Sequence, residues 1–487
     1  MTSGDDQSQR KLIVASNRGP VSWSREDDGS WTATRGSGGL IVALGGALMD
    51  RPGVWVSVAL EEGDVEMAAA HDGAAFDAET DRGTFTLRLV DAGEAYDQYY
   101  NRVANRLLWF TLHQLWSDPY RPSGMNWSDP FEDYLAVNEM IAEAVISEAT
   151  DEDGSSLECE IHLQDYHLLT AAPTIRTALP DARMLLYIHT PWVHPQYLQR
   201  LPDRMVSAIL EGLSACDLVG ISAPEWAHNV RDCLTTVGGG VADFDRIRTA
   251  DGSTLVRDFT LGIDRPGLLA VQDSDAARRE REDLREQVGQ RQLIVRADRT
   301  DLSKNILRGL HAYDLLLQTH PDLADRVHFR MLLNTSRQGV EEYREYLDRC
   351  LQEADRIREV WGEAVLLVDT EQNFPRVVAA MSEYDVLFTN PVIDGTNLVA
   401  KEGPSLNEND GVLVLSRNAG AATVLKDAIM INPFDVAQQA EALHRALTMN
   451  ATERAERAAG LRAAADLGAP AEWLAAQEAA LEEALAY

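Results

Sequence analysis

QLIVRADRTDLSKNILRGLHAY (292–313) opens with a continuous strand pattern, QLIVRADR, crosses a polar turn, and continues after Lys304 as an amphipathic helix. A short apolar run closed by a turn suits a strand buried on both faces, and such strands belong to parallel sheets covered by helices. The same unit recurs along the chain. Downstream lie RVHFRMLLN, VLLVDT, DVLFTN, GVLVLSR and AIMIN; upstream lie KLIVASN (11–17), VWVSVAL (54–60), FTLRLVD (85–91), ECEIHLQD (158–165), RMLLYIHT (183–190) and DLVGIS (217–222). Helical patterns separate them, among them Tyr100 to Trp116 and SAPEWAHNVRDCL, the latter with Ser222 and Pro224 as start signals. This alternation predicts an α/β fold of two Rossmann-like, doubly wound domains, with ligands in a central cleft at the carboxyl ends of the strands.

The expected boundaries are residues 1–262, 263–467 and 468–487. Ile263 to about Gln290 carries the hinge and a first charged helix, DAARREREDLREQVGQ. A final helical segment starts after Gly468-Ala469-Pro470, because proline cannot continue the preceding helix. Surface loops are expected at 149–156 and 118–131.

The chain has 487 residues, with 44 Lys+Arg against 78 Asp+Glu and a net charge of −34. Counterion release needs clustered cations, so this balance argues against nucleic-acid and anionic-membrane partners. With 45% hydrophobic and 25% charged residues the composition is that of a folded globular chain. Cys159, Cys216, Cys233 and Cys350 lie far apart without metal-ligand spacing, which fits a reducing compartment. The start, MTSGDDQSQRK, lacks the features of a signal peptide, and no apolar run reaches the roughly 18 residues of a membrane span. A cytoplasmic enzyme acting on small molecules is expected, with a homo-oligomer left open.

Five stretches at strand ends carry the chemistry. SNRGP (16–20) and RGSGGL (35–40) place glycines beside Arg18 and Arg35, where backbone can approach an anion, although such a loop is as often structural. LQDYHLL (163–169) and IHTPWVHPQY (188–197) offer Asp165 and His189 for sugar hydroxyls or proton movement; either residue alone also reads as structural, as His167 does. In ADRTDLSKNILRGLHAY (297–313), Arg299 and Lys304 stand five residues apart across a strand-to-helix turn and can converge on a diphosphate, against the alternative of two solvated charges. In NPVIDGTNLVAKEG (390–403), Asp394-Gly395 makes a turn, Asn397 to Val399 offer backbone groups, and the Glu402 carboxylate can accept from ribose hydroxyls.

Taken together, SNRGP, RGSGGL, YYNRVANRLLW, QDYHL, HTPW, DRTDLSKN, TSRQGVEEY, DGTNLVAKE and LSRNAGAA resemble the trehalose-phosphate synthases, retaining glycosyltransferases of the GT-B fold, from about Leu12 to Leu447. The resemblance implies transfer of glucose from a nucleoside diphosphate sugar to glucose-6-phosphate. It assigns Arg299 and Lys304 to the donor diphosphate, and Asp394, His189 and the Asn397-Leu398-Val399 backbone to the donor sugar and phosphate. Glu402 is assigned to the ribose and Gly39 to the loop over the donor. Acceptor contacts fall on Arg18, Tyr100, Trp109 and Arg337, with Asp165 near the attacking hydroxyl. Tyr100 and Trp109 would otherwise read as core. The final segment is expected to cross back to the first domain.

The implied mechanism needs no protein nucleophile, no tightly bound cofactor and no metal site, Mg2+ being at most stimulatory. Arg299 and Lys304 stabilise charge on the departing diphosphate, a phosphate oxygen takes the acceptor proton, and domain closure excludes water. The RTDLSKN, HTPW and QDYHL forms are most similar to the actinobacterial branch, in which GDP-glucose is a frequent donor. Thr396, Val193-His194 and Asn334 depart from the family pattern and keep other acceptors open: glycerol 3-phosphate, or an aminocyclitol phosphate coupled through nitrogen. A non-catalytic regulatory homologue predicts eroded donor residues, and Arg299, Lys304, Asp394 and Glu402 are present. Small anionic substrates are compatible with the net charge of −34 because Arg18, Arg299, Lys304 and Arg337 are local cations in an otherwise acidic, solvated exterior.

Overall fold

The apolar runs form two parallel sheets. The computed structural model describes residues 10–26, 28–36, 39–80, 83–116, 127–151, 153–250 and 252–486, the side chains at 42, 49 and 50 being outside the description. It divides into one unit of Met1–Phe259 with Pro470–Tyr487 and another of Thr260–Ala469.

In the first unit, seven parallel strands lie in the order Ser253–Asp258, Leu218–Ile221, Arg183–Ile188, Cys159–Gln164, Lys11–Ser16, Gly53–Val58 and Gly83–Val90. Lys11–Ser16 is central and fully buried from Leu12 to Ala15. Chain order reverses between it and Cys159–Gln164, which opens a crevice at their carboxyl ends. Antiparallel strands close the edges, Phe76–Thr80 on one side and Val241–Asp243 with Arg246–Arg248 on the other. A separate hairpin pairs Val21–Arg25 with Trp31–Arg35. These edge and hairpin strands, and the parallel strand Ser253–Asp258, are additions to the expected set.

The expected helix from Tyr100 to Trp116 is corrected. Residues Gln98–Leu108 form a π-helix, continued by an α-helical turn Trp109–Leu112 that ends at His113. The expected loop at 118–131 is also shorter: the helix Ser128–Glu148 has begun by Ser128, and positions 118–126 lie outside the described residues. Part of RGSGGL, Ser37-Gly38, lies outside them too, as do residues 1–9.

In the second unit six strands are all parallel, in the order Leu366–Asp369, Val327–Asn334, Gln292–Arg299, Val386–Thr389, Val412–Ser416 and Ile429–Ile431. By chain position that is third, second, first, fourth, fifth, sixth, the doubly wound order with its switch point between Gln292–Arg299 and Val386–Thr389. One face packs Leu310, Leu317, Ile357 and Leu443 against the sheet, and the other packs Leu268, Leu284, Val378, Leu406 and Leu461. The charged segment forms the helix Asp275–Val288, started by the Ser274 hydroxyl accepting from the Ala277 amide and stopped by Gly289 at φ 62°.

Two chain segments meet at the edge of this unit. The Gly262 amide donates to the Gly468 carbonyl at 2.6 Å, and a Cβ on Gly468 would lie 2.1 Å from the Thr260 carbonyl oxygen. Buried Lys401 donates to the carbonyls of Leu261 at 2.8 Å and Leu467 at 3.3 Å, and burial pulls its pKa down to about 8.

The last helix, Pro470–Leu485, packs on the first unit through Trp473, Leu474 and Leu481. Arg10 pairs with Glu482 at 2.7 Å, Arg51 with Glu478 at 2.6 Å and Arg257 with Glu483 at 2.8 Å. Arg246 satisfies carbonyls of the helix end at Ala484 and Glu483. All four cysteines are free and buried. Among the described residues no helix is long and apolar enough to cross a membrane.

Candidate active site

In the second unit the strand Gln292–Arg299 is followed by a 3-10 turn, Leu302–Lys304, and by Asn305 in the left-handed region at φ 62°. Asn305 is buried and donates through its side chain to the carbonyls of Asn390 at 2.9 Å and Pro433 at 2.7 Å, which locks the turn. Arg296, fully buried, holds it from below. Its guanidinium pairs with Asp298 at 2.9 Å, donates to Asn390 Oδ1 at 2.6 Å and reaches the Lys304 carbonyl.

Across the switch point, after Val386–Thr389, Asp394 faces Lys304 with Nζ to Oδ2 at 2.5 Å. Asn397, at φ 69°, donates to the same oxygen at 3.2 Å, while its own Oδ1 accepts from the Ala400 amide at the start of the helix Val399–Leu406. Burial opposes charge on Lys304, but the Asp394 and Asp298 carboxylates outweigh it and raise its pKa, so the ammonium is held. The Asp394 loop is pinned by its neighbour: the Gly420 amide donates to the Asp394 carbonyl, and a Cβ there would lie 1.9 Å from the Gly395 carbonyl oxygen.

Arg299 is exposed at the strand end, close enough for its charge to act on both Lys304 and Tyr343. Arg337, at φ 50°, pairs with Asp301 at 2.6 Å and donates to the Tyr343 hydroxyl at 2.9 Å. Glu402 lies on the helix Val399–Leu406, one turn past Leu398 and Val399, and burial pushes its carboxyl up to about 7. Among the described residues it has no hydrogen-bond or ion-pair partner, which leaves it an acceptor for a ligand.

The first unit gathers its candidates at the carboxyl ends of its central strands. Arg18 follows Lys11–Ser16, is exposed, and has no side-chain partner among the described residues. Its charge acts on Tyr96, whose ring stacks on Tyr100 at 5.2 Å. Tyr100 stands 5.9 Å from the His167 ring, and His167 Nδ1 lies 3.9 Å from Asp165 Oδ2. A row from Arg18 to Asp165 results. His167, which sequence reasoning set aside, stands in its middle; the signal was its place in the same turn as Asp165.

The π-helix presents Tyr100 on this row, as widened turns do at functional sites. Trp109 is more deeply set, 7% exposed and stacked on His113 at 3.8 Å and near Tyr166 at 5.6 Å. Asp165, at φ 72°, accepts from the His189 amide at 3.1 Å, so these two are joined through the main chain. Burial lowers the His189 pKa, which keeps its imidazole neutral at pH 7. Gly39 is the first residue of the helix Gly39–Asp50. Of the positions that depart from the family pattern, Thr396 is buried, His194 is exposed, and the Asn334 carbonyl accepts from Thr300.

Among the described residues no cluster of three or more His, Cys, Asp or Glu is arranged as metal ligands. What the second unit can do is hold a diphosphate beside cations, with an acceptor for a sugar ring on the next helix.

The chain is similar to known proteins over nearly its whole length. The family model of glycosyltransferase family 20 matches residues 10–483. Trehalose-6-phosphate synthase of Escherichia coli O1:K1 is 30% identical over 456 residues, covering 92% of this chain and 90% of the relative. The E. coli trehalose-6-phosphate enzyme bound with UDP-2-fluoro glucose superposes with a TM-score of 0.82 at 26% identity, covering 97% and 98% of the two chains. A UDP-forming alpha,alpha-trehalose-phosphate synthase from Burkholderia xenovorans, in complex with glucose-6-phosphate, gives 0.81 at 25% identity over 97% and 100%.

Proposed function

Because this chain belongs to glycosyltransferase family 20, we propose that it moves glucose, with retention, from a nucleoside diphosphate glucose to glucose-6-phosphate, making α,α-trehalose 6-phosphate. The observation that carries the reading is Lys304 held charged on Asp394 across the switch point, with Arg299 alongside and Glu402, on the following helix, without a partner among the described residues. Donor diphosphate meets Arg299 and Lys304; as the glycosidic bond lengthens, these cations stabilise the leaving group, and the sugar carries oxocarbenium character. A phosphate oxygen of the leaving group takes the proton of the incoming hydroxyl, so no pair of hydrolase-type carboxylates is needed. Arg18, Tyr100 and Asp165 supply a cation, an aromatic wall and an acceptor for a sugar phosphate, with Trp109 and Arg337 as further contacts.

Both UDP-glucose and GDP-glucose are proposed donors. The Burkholderia relative is UDP-forming, whereas RTDLSKN, HTPW and QDYHL are similar to the GDP-glucose branch. No resident cofactor is proposed, and chelation of divalent ions should reduce turnover without abolishing it. The four free buried thiols support a cytoplasmic setting.

Purified protein should release nucleoside diphosphate only when a nucleotide glucose and glucose-6-phosphate are both present, with a non-reducing disaccharide phosphate seen by mass spectrometry. Silence with glucose-6-phosphate and every nucleotide glucose, together with transfer from a nucleotide glucose to glycerol 3-phosphate or turnover of an aminocyclitol phosphate with a nucleotide-activated cyclitol, would overturn the acceptor.

Glu402 makes the donor interaction pH-dependent. Its carboxyl titrates at about 7, and hydroxyls of a ribose are held best by the ionised form. Donor KM is therefore expected to rise as pH falls through 7 and to level off above pH 8. Glu402→Gln should flatten that dependence. The sign for stability is opposite: a carboxyl raised in the folded state stabilises most at low pH and loses that contribution as pH rises through 7, so Glu402→Gln should gain thermal stability mainly at alkaline pH.

A further inference from the structure

We propose that Gln164 is a positioning residue for this reaction, its side-chain carbonyl fixing the Nε2–H tautomer of His189 so that the histidine meets the transferred sugar through Nδ1, as a hydrogen-bond acceptor. The inference rests on the reading of His189 as a donor-sugar residue.

In the strand Cys159–Gln164 the apolar run is interrupted at every second position by Glu160, His162 and Gln164, which therefore share one face of the sheet. All three are buried; the His162 ring nitrogens and the Gln164 amide nitrogen have no hydrogen-bond partner among the described residues, so Gln164 is held through its carbonyl oxygen alone. Gln164 is 1% exposed, and its Oε1 lies 3.1 Å from His189 Nε2. A carbonyl oxygen only accepts, so the facing nitrogen carries the proton. A neutral imidazole has one such proton, which leaves Nδ1 a bare acceptor. No described residue hydrogen-bonds Nδ1, which leaves that nitrogen open to a ligand group.

The ring is held in other ways too. The His189 amide donates to Asp165 Oδ1 at 3.1 Å, and the Tyr187 ring meets the imidazole edge-on at 4.6 Å. Trp473, from the last helix, closes the packing with its centroid 6.2 Å from His189 and 4.7 Å from Tyr187. The titratable groups facing the ring are Asp165, which favours the protonated form, and Tyr187, whose hydroxyl burial keeps neutral. Burial of the imidazole itself outweighs Asp165.

The chemical consequence is a sense of hydrogen bonding. A sugar hydroxyl could either give or take a proton at a histidine; with Nε2 committed to Gln164, the hydroxyl at Nδ1 must donate. A site built this way rejects a donor in which that hydroxyl is replaced by fluorine or methoxy, neither of which has a proton to give.

The test uses the full chain, labelled with 15N-histidine, with His189 resonances identified by loss in a His189→Gln variant. Nitrogen chemical shifts should show Nε2 protonated and Nδ1 bare in the free enzyme; an Nδ1–H tautomer overturns the proposal. Gln164→Met should mix the two tautomers and lower kcat/KM about tenfold, the scale of one lost hydrogen bond. A wild-type tautomer in that variant also overturns it. Gln164→Glu places a carboxylate against Nε2–H and should hold the imidazolium to higher pH. The acid limb of kcat/KM then moves up by about one unit or more, with activity recovering in alkali; an unmoved limb counts against Gln164. Should Gln164→Glu fail to fold, Gln164→Met and the wild-type spectrum still decide. The spectra need no turnover, so an enzyme with the expected tautomer but no transfer from nucleotide glucose would reject the proposed function separately.

Discussion

Replacing Lys304 by Ala is expected to lower kcat by about 10²–10³-fold, the range seen when one group stabilising developing negative charge is removed. The ammonium lies between Asp298 and Asp394 in a site that holds it protonated, so its charge is already in place when the diphosphate departs. Its loss also leaves the Asp394 carboxylate beside the leaving group without its counter-ion, and repulsion adds to the missing attraction. Donor KM should rise as well, because Arg299 alone then meets the diphosphate. Lys304→Arg should not restore the rate, since a planar fork cannot take the position of a compact ammonium 2.5 Å from Oδ2. The measurement is initial-rate kinetics of nucleoside diphosphate release beside a thermal melt. The pair is largely buried, at 15% side-chain exposure for each partner, so the unpaired Asp394 should also lower Tm, and the rate loss is read against that melt. An unchanged kcat would remove Lys304 from the leaving-group role.

Deleting residues 470–487 is expected to prevent folding of the first unit or to drop its Tm steeply. Trp473 and Leu481 are 2% and 0% exposed, and the Trp473→Ala change alone should cost about 3–5 kcal/mol. For a unit of this size that corresponds to roughly 6–20 °C in Tm. The ion pairs contribute less, since Glu482 and Glu483 are substantially solvated, and Glu482→Ala should cost under about 1 kcal/mol. Removing the whole helix also uncovers Glu160, which is buried among Arg10, Arg51 and Arg183 at 3.6–4.0 Å. Trp473→Ala should in addition slow turnover more than its stability loss explains, through the aromatic contacts behind His189. Calorimetry and kinetics on the same preparations separate the two effects; a soluble truncated chain with an unchanged melt would show that the helix is not part of the first unit.

The strands that could be read in advance are those buried on both faces. KLIVASN became Lys11–Ser16 and QLIVRADR became Gln292–Arg299, because a strand with no solvent face shows as a continuous apolar run. Val241–Asp243 is exposed at every residue and Val21–Arg25 at most of them, so neither had an apolar run to show. The π-helix was equally hidden: Tyr100 to Leu112 has helical periodicity, but nothing local distinguishes a bond to the fifth residue from one to the fourth. Gly468 and Pro470 marked the start of the last helix correctly, since a chain break of that kind is local chemistry.

By itself, the sequence determined the class of fold, the places where strands give way to helices, and the residue types waiting there. Those are consequences of hydrophobic periodicity and turn chemistry, which act over a few residues. Tertiary structure decided which of those residues meet. Lys304 and Asp394 are 90 positions apart and share a hydrogen bond only because the first and fourth strands of their unit are neighbours. Gln164 and His189 meet because consecutive parallel strands place their ends side by side. The Glu402 carboxyl is pushed up to about 7 because the fold desolvates it with no partner among the described residues, and Trp473 stands behind His189 because the last helix packs on the first unit. Partner choice and desolvation depend on what the fold brings within a few ångströms, and no local pattern carries that information.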